Sequence, residues 1–343
     1  MKLHALFTVI ALLLFTICAK AQVRGKVIDA ATGDPIANAS VRLSGSSKGA
    51  TSNRQGEFVL YTDETKVPLV VSYIGYQSET IDNYNGKTLT VKLSPRDVVL
   101  REVVIGNTNR EEYMKVFLKQ FIGKTNAKDC FIQNPDDINF RYNKKAKVLK
   151  ANASDPLIII NKKLGYKITY TLSAFSYSKR KKETSYKGDY VFEEDTLGQK
   201  PDQMKKILEA RDKAYYGSRM HFMCLVWAQN VEKSKFWYAY NNLDYGTHYN
   251  LVFNNVRANK EKLLNNTFST TLINGIHHFL GSPCMIIKYN DGYESHLSFQ
   301  GGTQDVPLTP VSYNNSDLIW SGKMAEQRVS ELLPFDFMPS EPL

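Results

Sequence analysis

The chain has 343 residues, 43% of them hydrophobic and 23% charged, with a formal net charge of +10. That composition excludes a disordered polymer, and the length suffices for two domains with cores of their own. A balance this basic suits anionic surfaces, acidic glycans or lipopolysaccharide, although net charge also serves solubility alone.

In chain order, Met1 and Lys2 give a short basic head, and residues 6–17 form an apolar run interrupted only by Thr8 and Thr16. The run is too short for a membrane span, which takes about 20 residues. Ala19 and Ala21 supply the small residues that a signal peptidase reads, so residues 1–21 are expected to be a leader cut before Gln22. The mature chain is then exported, to the periplasm or in association with the outer membrane. Cys18 makes a poor lipidation site, because Ile17 stands where a small residue belongs. Losing Lys2 and Lys20 with the leader lowers the charge to +8. Cys130, Cys224 and Cys284 remain, an odd number without a Cys-x-x-Cys pair, so neither a zinc knuckle nor a redox motif is present. Three buried small hydrophobes are expected, one disulfide being the alternative.

Residues 22–95 alternate with the period of half-buried strands. In 23–27 the valines face one way and the basic residues the other, and 40–44 and 88–93 repeat the pattern. Residues 56–61 and 69–74 are more apolar, as central strands packed on two sides would be. Between them lie turns: 29–35 with Gly33 and Pro35, and 53–56 ending on Gly56. The expectation is an antiparallel sandwich of about 75 residues.

The blocks Val23-Arg24-Gly25-Lys26-Val27, then Thr32-Gly33-Asp34-Pro35 through Val41, then Gly49 through Gly56-Glu57-Phe58, then Ser72-Tyr73-Ile74-Gly75-Tyr76 resemble the carboxypeptidase-regulatory-like domain. The resemblance implies a transthyretin-like (prealbumin-like) sandwich, with Gly33, Pro35, Gly56, Phe58, Gly75 and Tyr76 as its structural motif. That module accompanies metallocarboxypeptidases and precedes the plug of TonB-dependent receptors, and is itself non-catalytic. Leu100 through Ile105 resembles the segment that follows it in those receptors. The length excludes such a receptor, since the large outer-membrane transporters close about 22 strands.

A polar stretch within 96–110 reads as a linker, and 111–343 as a second, α+β domain with three to four helices. Residues 110–122 are expected as a helix with Tyr113, Val116, Phe117 and Phe121 on one face. Residues 165–173 form the cleanest strand. Residues 204–216 are expected as a helix with Met204, Ile207, Leu208 and Tyr215 as its stripe, followed by a helix capped by Ser218. Strands are expected at 236–240, 249–253, 268–273, 284–289 and 293–299, and a last helix at 321–333 capped by Ser321. The whole is mainly β. This half is similar to the C-terminal region of bacterial carboxypeptidase-like regulatory-domain proteins, on Phe121-Ile122-Gly123 with Asn126-Ala127, Leu164-Gly165-Tyr166, Gly217-Ser218-Arg219 before His221-Phe222, and Arg328-Val329 with Leu332-Leu333-Pro334. The likeness brings no activity with it.

Catalytic motifs are missing where a peptidase needs them. His-Glu-x-x-His is absent, and the residues three after each mature histidine are Cys224, Leu251, Leu280, Gly281 and Phe299, none acidic. One of His277 and His278 could meet His296 across neighbouring strands, a weak metal candidate. Gly45-Ser46-Ser47-Lys48-Gly49 matches the Gly-x-Ser-x-Gly elbow formally, but no helix follows, and a flexible loop is expected. Lys144-Lys145-Ala146-Lys147 and Lys179-Arg180-Lys181-Lys182 are flanked by Tyr142, Tyr177 and Tyr186. Export disfavours nucleic acid, leaving a solvated hairpin tip or contact with anionic glycan or headgroups. Glu193-Glu194-Asp195 has nothing to desolvate it as acid-base catalysis requires. No catalytic, metal or cofactor residue is assigned. The expected function is a non-catalytic envelope protein whose sandwich binds another envelope protein or a glycan, the alternative being a carbohydrate-binding or glycan-processing accessory.

Overall fold

A computed structural model describes residues 22–62, 67–84, 88–96, 109–124, 128–227, 236–240, 268–273, 276–281, 284–289, 294–299, 305–307 and 318–340. The leader with Ala19 and Ala21, most of the linker and the strand expected at 249–253 lie outside the described residues. The chain divides into two compact units, Met1–Leu43 with Gly49–Leu100, and Ser44–Lys48 with Arg101–Leu343. Among the described residues no helix is long and apolar enough to cross a membrane.

The first unit is two facing sets of short strands. β1 (Gln22–Asp29), β4 (Glu57–Tyr61) and β7 (Leu89–Leu93) form one sheet in the order β4-β1-β7. The other runs β3-β2-β5-β6, from β2 (Ser40–Leu43), β3 (Gly49–Thr51), β5 (Leu69–Ser72) and β6 (Glu79–Ile81). Period-two alternation sends Val23, Val27, Val41, Leu43, Phe58, Leu60, Val91 and Leu93 inward, all buried. Two expectations fail here. The sandwich is not wholly antiparallel, because β1 pairs β7 in parallel, Gly25 opposite Leu89. β4 is an edge strand with one buried face: Val59 and Tyr61 point to solvent. β5 alone shows the continuous burial of a central strand.

The second unit is built around one long strand, β12 (Tyr166–Ser178). Its whole length pairs β13 (Glu183–Glu194). On its other edge two strands lie end to end: β11 (Leu157–Asn161) along the first half and β10 (Val148–Ala153) along the second. β8 (Cys130–Ile132) and β9 (Ile138–Asn143) flank these. Tyr166, Ile168, Tyr170 and Leu172 face inward as alternation requires, and a bulge between Leu172 and Ala174 resets the phase so that Phe175 is buried too. Helix α1 (Arg110–Phe121) packs Phe117 and Phe121 against this face, Phe121 meeting the Tyr170 ring edge-on at 5.1 Å.

Helix α2 (Pro201–Tyr215) buries Ile207, Arg211 and Tyr215, residues spaced four apart on one face. Leu208, expected in that stripe, is exposed, and Arg211 takes the inward position. Helix α3 (Arg219–Trp227) begins as expected, the Ser218 hydroxyl accepting the His221 N–H at 3.0 Å. Further strands make two antiparallel sheets. One has the order β14-β17-β18-β20, from β14 (Phe236–Tyr240), β17 (Cys284–Tyr289), β18 (Ser295–Phe299) and β20 (Leu318–Gly322). The other, β15-β16-β19, holds β15 (Phe268–Ile273), β16 (Ile276–Gly281) and β19 (Asp305–Pro307).

The helix expected over 321–333 does not form. Residues 318–322 are strand, followed by two separate 3₁₀ turns, Lys323–Glu326 and Val329–Glu331. Gly322 sits at φ 71° with its α-carbon against the Glu294 carbonyl, and Gln327 and Arg328 are extended, so the helical ladder is interrupted twice.

Candidate functional site

The motif residues of the first unit gather at one end of β1. Gly33 and Gly56 turn at φ 78° and 76°, and Gly75 at 83°. A methyl group on Gly56 would lie 2.4 Å from the Val27 carbonyl and 3.1 Å from Pro35, so only glycine fits without a shift. Pro35 bridges Ile28, and Phe58 is buried over Gly25. The Tyr76 hydroxyl donates to the Asp29 carboxylate at 2.7 Å, whose other oxygen accepts the Ala31 and Thr32 N–H groups. The Tyr76 bond, then those two, hold the Asp29 carboxyl below its ordinary range. This is turn architecture, with no reactive group aimed outward.

Residues 45–48 of the Gly-x-Ser-x-Gly segment belong to the second unit and are fixed, against the expectation of a flexible loop. Gly45 N–H donates to the Tyr190 carbonyl and Phe192 N–H to the Ser46 carbonyl, adding the segment to the free edge of β13. Ser46 is fully buried, its hydroxyl donating to Asp336 at 2.9 Å, and Ser47 binds the same carboxylate through its N–H and hydroxyl. A nucleophile elbow lies between strand and helix. Here the hydroxyl is committed to a structural carboxylate.

His277 and His278 lie on β16, and His296 on β18, which belong to different sheets and are not neighbouring strands. His296 pairs Glu294 at 3.0 Å, which also takes Lys288. Among the described residues no group of three or more His, Cys, Asp or Glu could hold a metal ion. Cys130 and Cys224 are free thiols, pushed up by burial to about 12 and about 11, so neither is a thiolate at neutral pH. Cys130 is buried as expected and Cys224 half-buried.

Glu193 and Glu194 serve structure. Glu193 meets Lys167 at 3.4 Å across the ladder. Glu194 takes both arms of Arg211, at 2.7 and 3.1 Å, and the guanidinium donates further to the carbonyls of Leu164 and Gly165. It lies 3.9 Å over the Tyr166 ring. Residue types alone did not single out Arg211; its spacing, midway between Ile207 and Tyr215, was the available signal.

Among the described residues, the second unit holds a cleft of about 420 Å³, within the roughly 300–1,000 Å³ usual for small-molecule sites. Six separate segments build it. Gly123, at φ 112°, ends α1 and presents Lys124; the β11–β12 turn brings Lys163; the α2–α3 turn brings Tyr216, Gly217 and Ser218. Tyr289 and Ser295 come from β17 and β18, Glu326 and Glu331 from the 3₁₀ turns, and Gln327 from the extended link between them. Ser330 N–H donates to the Ile122 carbonyl and buried Asn161 donates to the Ser330 carbonyl, which tie three of these segments together. Four segments quoted for the C-terminal likeness, around Gly123, Gly165, Gly217 and Arg328, therefore border or brace one cleft.

The electrostatics of the cleft are set at two levels. At the mouth Glu326 accepts Lys323 at 3.1 Å and Lys124 at 3.2 Å, which together lower its pKa. These groups are exposed, so the pairs orient side chains more than they stabilise. Behind the wall His221 is buried, its Nδ1 accepting the Gly217 N–H at 3.1 Å among the rings of Tyr215, Tyr216 and Tyr289. Burial lowers its pKa to about 4, so it is neutral at pH 7 and fixes the α2–α3 turn.

The family model of the CarboxypepD_reg-like domain matches residues 23–105. This segment is a CarboxypepD_reg-like domain. The name fits the turn framework of Gly33, Gly56 and Asp29, and it denotes a regulatory-like module. No curated protein matches the chain. Among solved structures, a Bacteroides uniformis protein to which carbohydrate binding is provisionally ascribed aligns at 11% identity over 44% of this chain and 58% of its own, with a TM-score of 0.19. A DUF3823 family protein from Bacteroides ovatus aligns at 12% identity over 50% of this chain and 98% of its own, also at 0.19. The chain thus spans little more than half of the first. Likeness at that level assigns nothing to the cleft.

Proposed function

We propose that the protein is a non-catalytic, exported binding protein of the bacterial cell envelope. The CarboxypepD_reg-like domain serves as an interaction module, and the second unit takes a small glycan, of mono- to disaccharide size, in the cleft. The observation that carries this reading is the make-up of the cleft: the two aromatic side chains of Tyr216 and Tyr289 set among lysine, glutamate, serine and glutamine. A sugar needs both, an apolar ring face against its C–H surface and charged or amide groups for its hydroxyls. The thiols support the non-catalytic part, being held protonated, and so does His221, which is spent on the Gly217 N–H.

Titration calorimetry of the full chain against a panel of neutral mono- and disaccharides tests the reading. Binding that Tyr216→Ala and Lys163→Ala each weaken by about tenfold, about 1.4 kcal/mol, supports it. Absence of binding across the panel overturns the glycan assignment, and hydrolysis of any member overturns the non-catalytic one.

A further inference from the structure

The two basic runs separated by more than thirty residues in sequence share one end of the six-stranded sheet. Residues 144–147 turn β9 into β10, and residues 179–182 turn β12 into β13. Val148 stands opposite both Asn143 and Ser178, so the turns leave from neighbouring ladder positions, and Lys179 N–H donates to the Lys147 carbonyl at 3.0 Å. Seven of these eight residues are Lys or Arg, and all eight are exposed. Glu183, next to the second run, lies 3.9 Å from Lys181, both well exposed.

The turns are built alike. In each, the side chain closing the strand accepts an N–H three residues on, Asn143 from Ala146 and Ser178 from Lys181. In each, the fourth residue is a lysine in left-handed backbone, Lys147 at φ 55° and Lys182 at φ 57°. Glycine or asparagine occupies that conformation at less cost. Lysine stands twice at a position the backbone disfavours, a cost that a use for its charge would offset.

The flanking tyrosines are not available to a ligand as base-stacking platforms. Tyr142 packs on Tyr113 at 5.5 Å and Tyr186 on Phe121 at 5.2 Å, both toward α1. The opposite face carries the next row, Arg141, Lys150, Ser176 and Ser185, side by side across four strands. No large exposed apolar residue among those described lies in the tips, so nothing there would insert into a bilayer. Cations followed by a row of further cations and hydroxyls match a chain of carboxylated sugars, each residue offering an anion and hydroxyls.

From this geometry we infer that the paired hairpin tips and the row behind them bind an extended acidic polysaccharide, at a surface separate from the cleft. The full chain binds polygalacturonate and not neutral dextran in calorimetry, with affinity falling as salt rises, as release of counterions demands. Lys144→Gln, Lys145→Gln, Lys179→Gln and Arg180→Gln together weaken it by about tenfold or more. Lys115→Gln, Lys119→Gln, Lys205→Gln and Lys206→Gln, the same charge lost on α1 and α2, leave it within about twofold. Lys147→Gly with Lys182→Gly weakens binding while the melting temperature holds or rises, which separates charge from folding. Equal loss in both four-site variants overturns the assignment, as does tighter binding to duplex DNA or to phosphatidylglycerol vesicles than to polygalacturonate. Tyr216→Ala leaves polygalacturonate affinity unchanged, so failure here and failure of the cleft reading are told apart.

Discussion

The two units hold their shape by different means. The first has a mostly aliphatic core, Val and Leu from alternating strands with Phe58 and Tyr84 as its aromatic members, and its special positions are backbone ones: glycines at positive φ and an Asx turn on Asp29. The second has an aromatic core into which polar groups are built, Arg211 under Tyr166, His221 among three tyrosines, Asn161 on the Ser330 carbonyl. A backbone-defined fold is indifferent to protons near neutrality. One braced by buried side-chain donors and acceptors depends on each of them being paired.

That contrast can be broken most forcefully at Arg211. Arg211→Ala leaves a cavity and removes the donor from the Leu164 and Gly165 carbonyls, and is expected to cost the second unit about 3–5 kcal/mol in chemical denaturation. The first unit's transition is expected not to move. Acid comes next. His221 has a folded pKa of about 4, below its unfolded value of 6.5, so the unfolded state binds the proton first. Its contribution is whole above pH 6.5 and is lost as pH falls toward 4, on the order of 3 kcal/mol at most. His221→Phe is expected to flatten that slope. Asp29, its pKa also lowered, contributes in the same sense but in a more acidic window: its share is present above the ordinary carboxylate range and is lost only as pH falls through and below it. The first unit should therefore outlast the second in an acid titration followed by hydrogen exchange. The smallest change is Gly56→Ala, which forces positive φ and a contact with the Val27 carbonyl, and should cost the first unit alone about 2 kcal/mol.

The sequence made the first unit readable because its information is local. Alternation in 23–27 and turns at Gly33 and Gly56 depend on neighbours a few residues away. Where pairing partners lie far apart, as with β1 and β7, nothing local tells parallel from antiparallel. In the second unit α1 and β12 were legible by period, and the Ser218 cap by residue type. Arg211 was passed over because hydrophobicity favoured Leu208, while four-residue spacing favoured Arg211, and spacing prevailed. The expected helix at 321–333 failed on Gly322, whose close approach to Glu294 exists only once β18 and β20 are paired. The cleft was illegible for the same reason in larger measure, its walls coming from six segments spread over about two hundred residues.

Strand β12 runs from the turn bearing Lys163 to the turn bearing Lys179. Thirteen residues at about 3.3 Å each set those ends roughly 40 Å apart. With a screening length of about 8 Å in physiological salt, charge arriving at one end is invisible to the other. A small sugar seated at the near end and a polymer lying along the far one would thus be held simultaneously, without competing and without sensing each other's ions. A single polymer touching both would have to be long enough to run the full span of the strand.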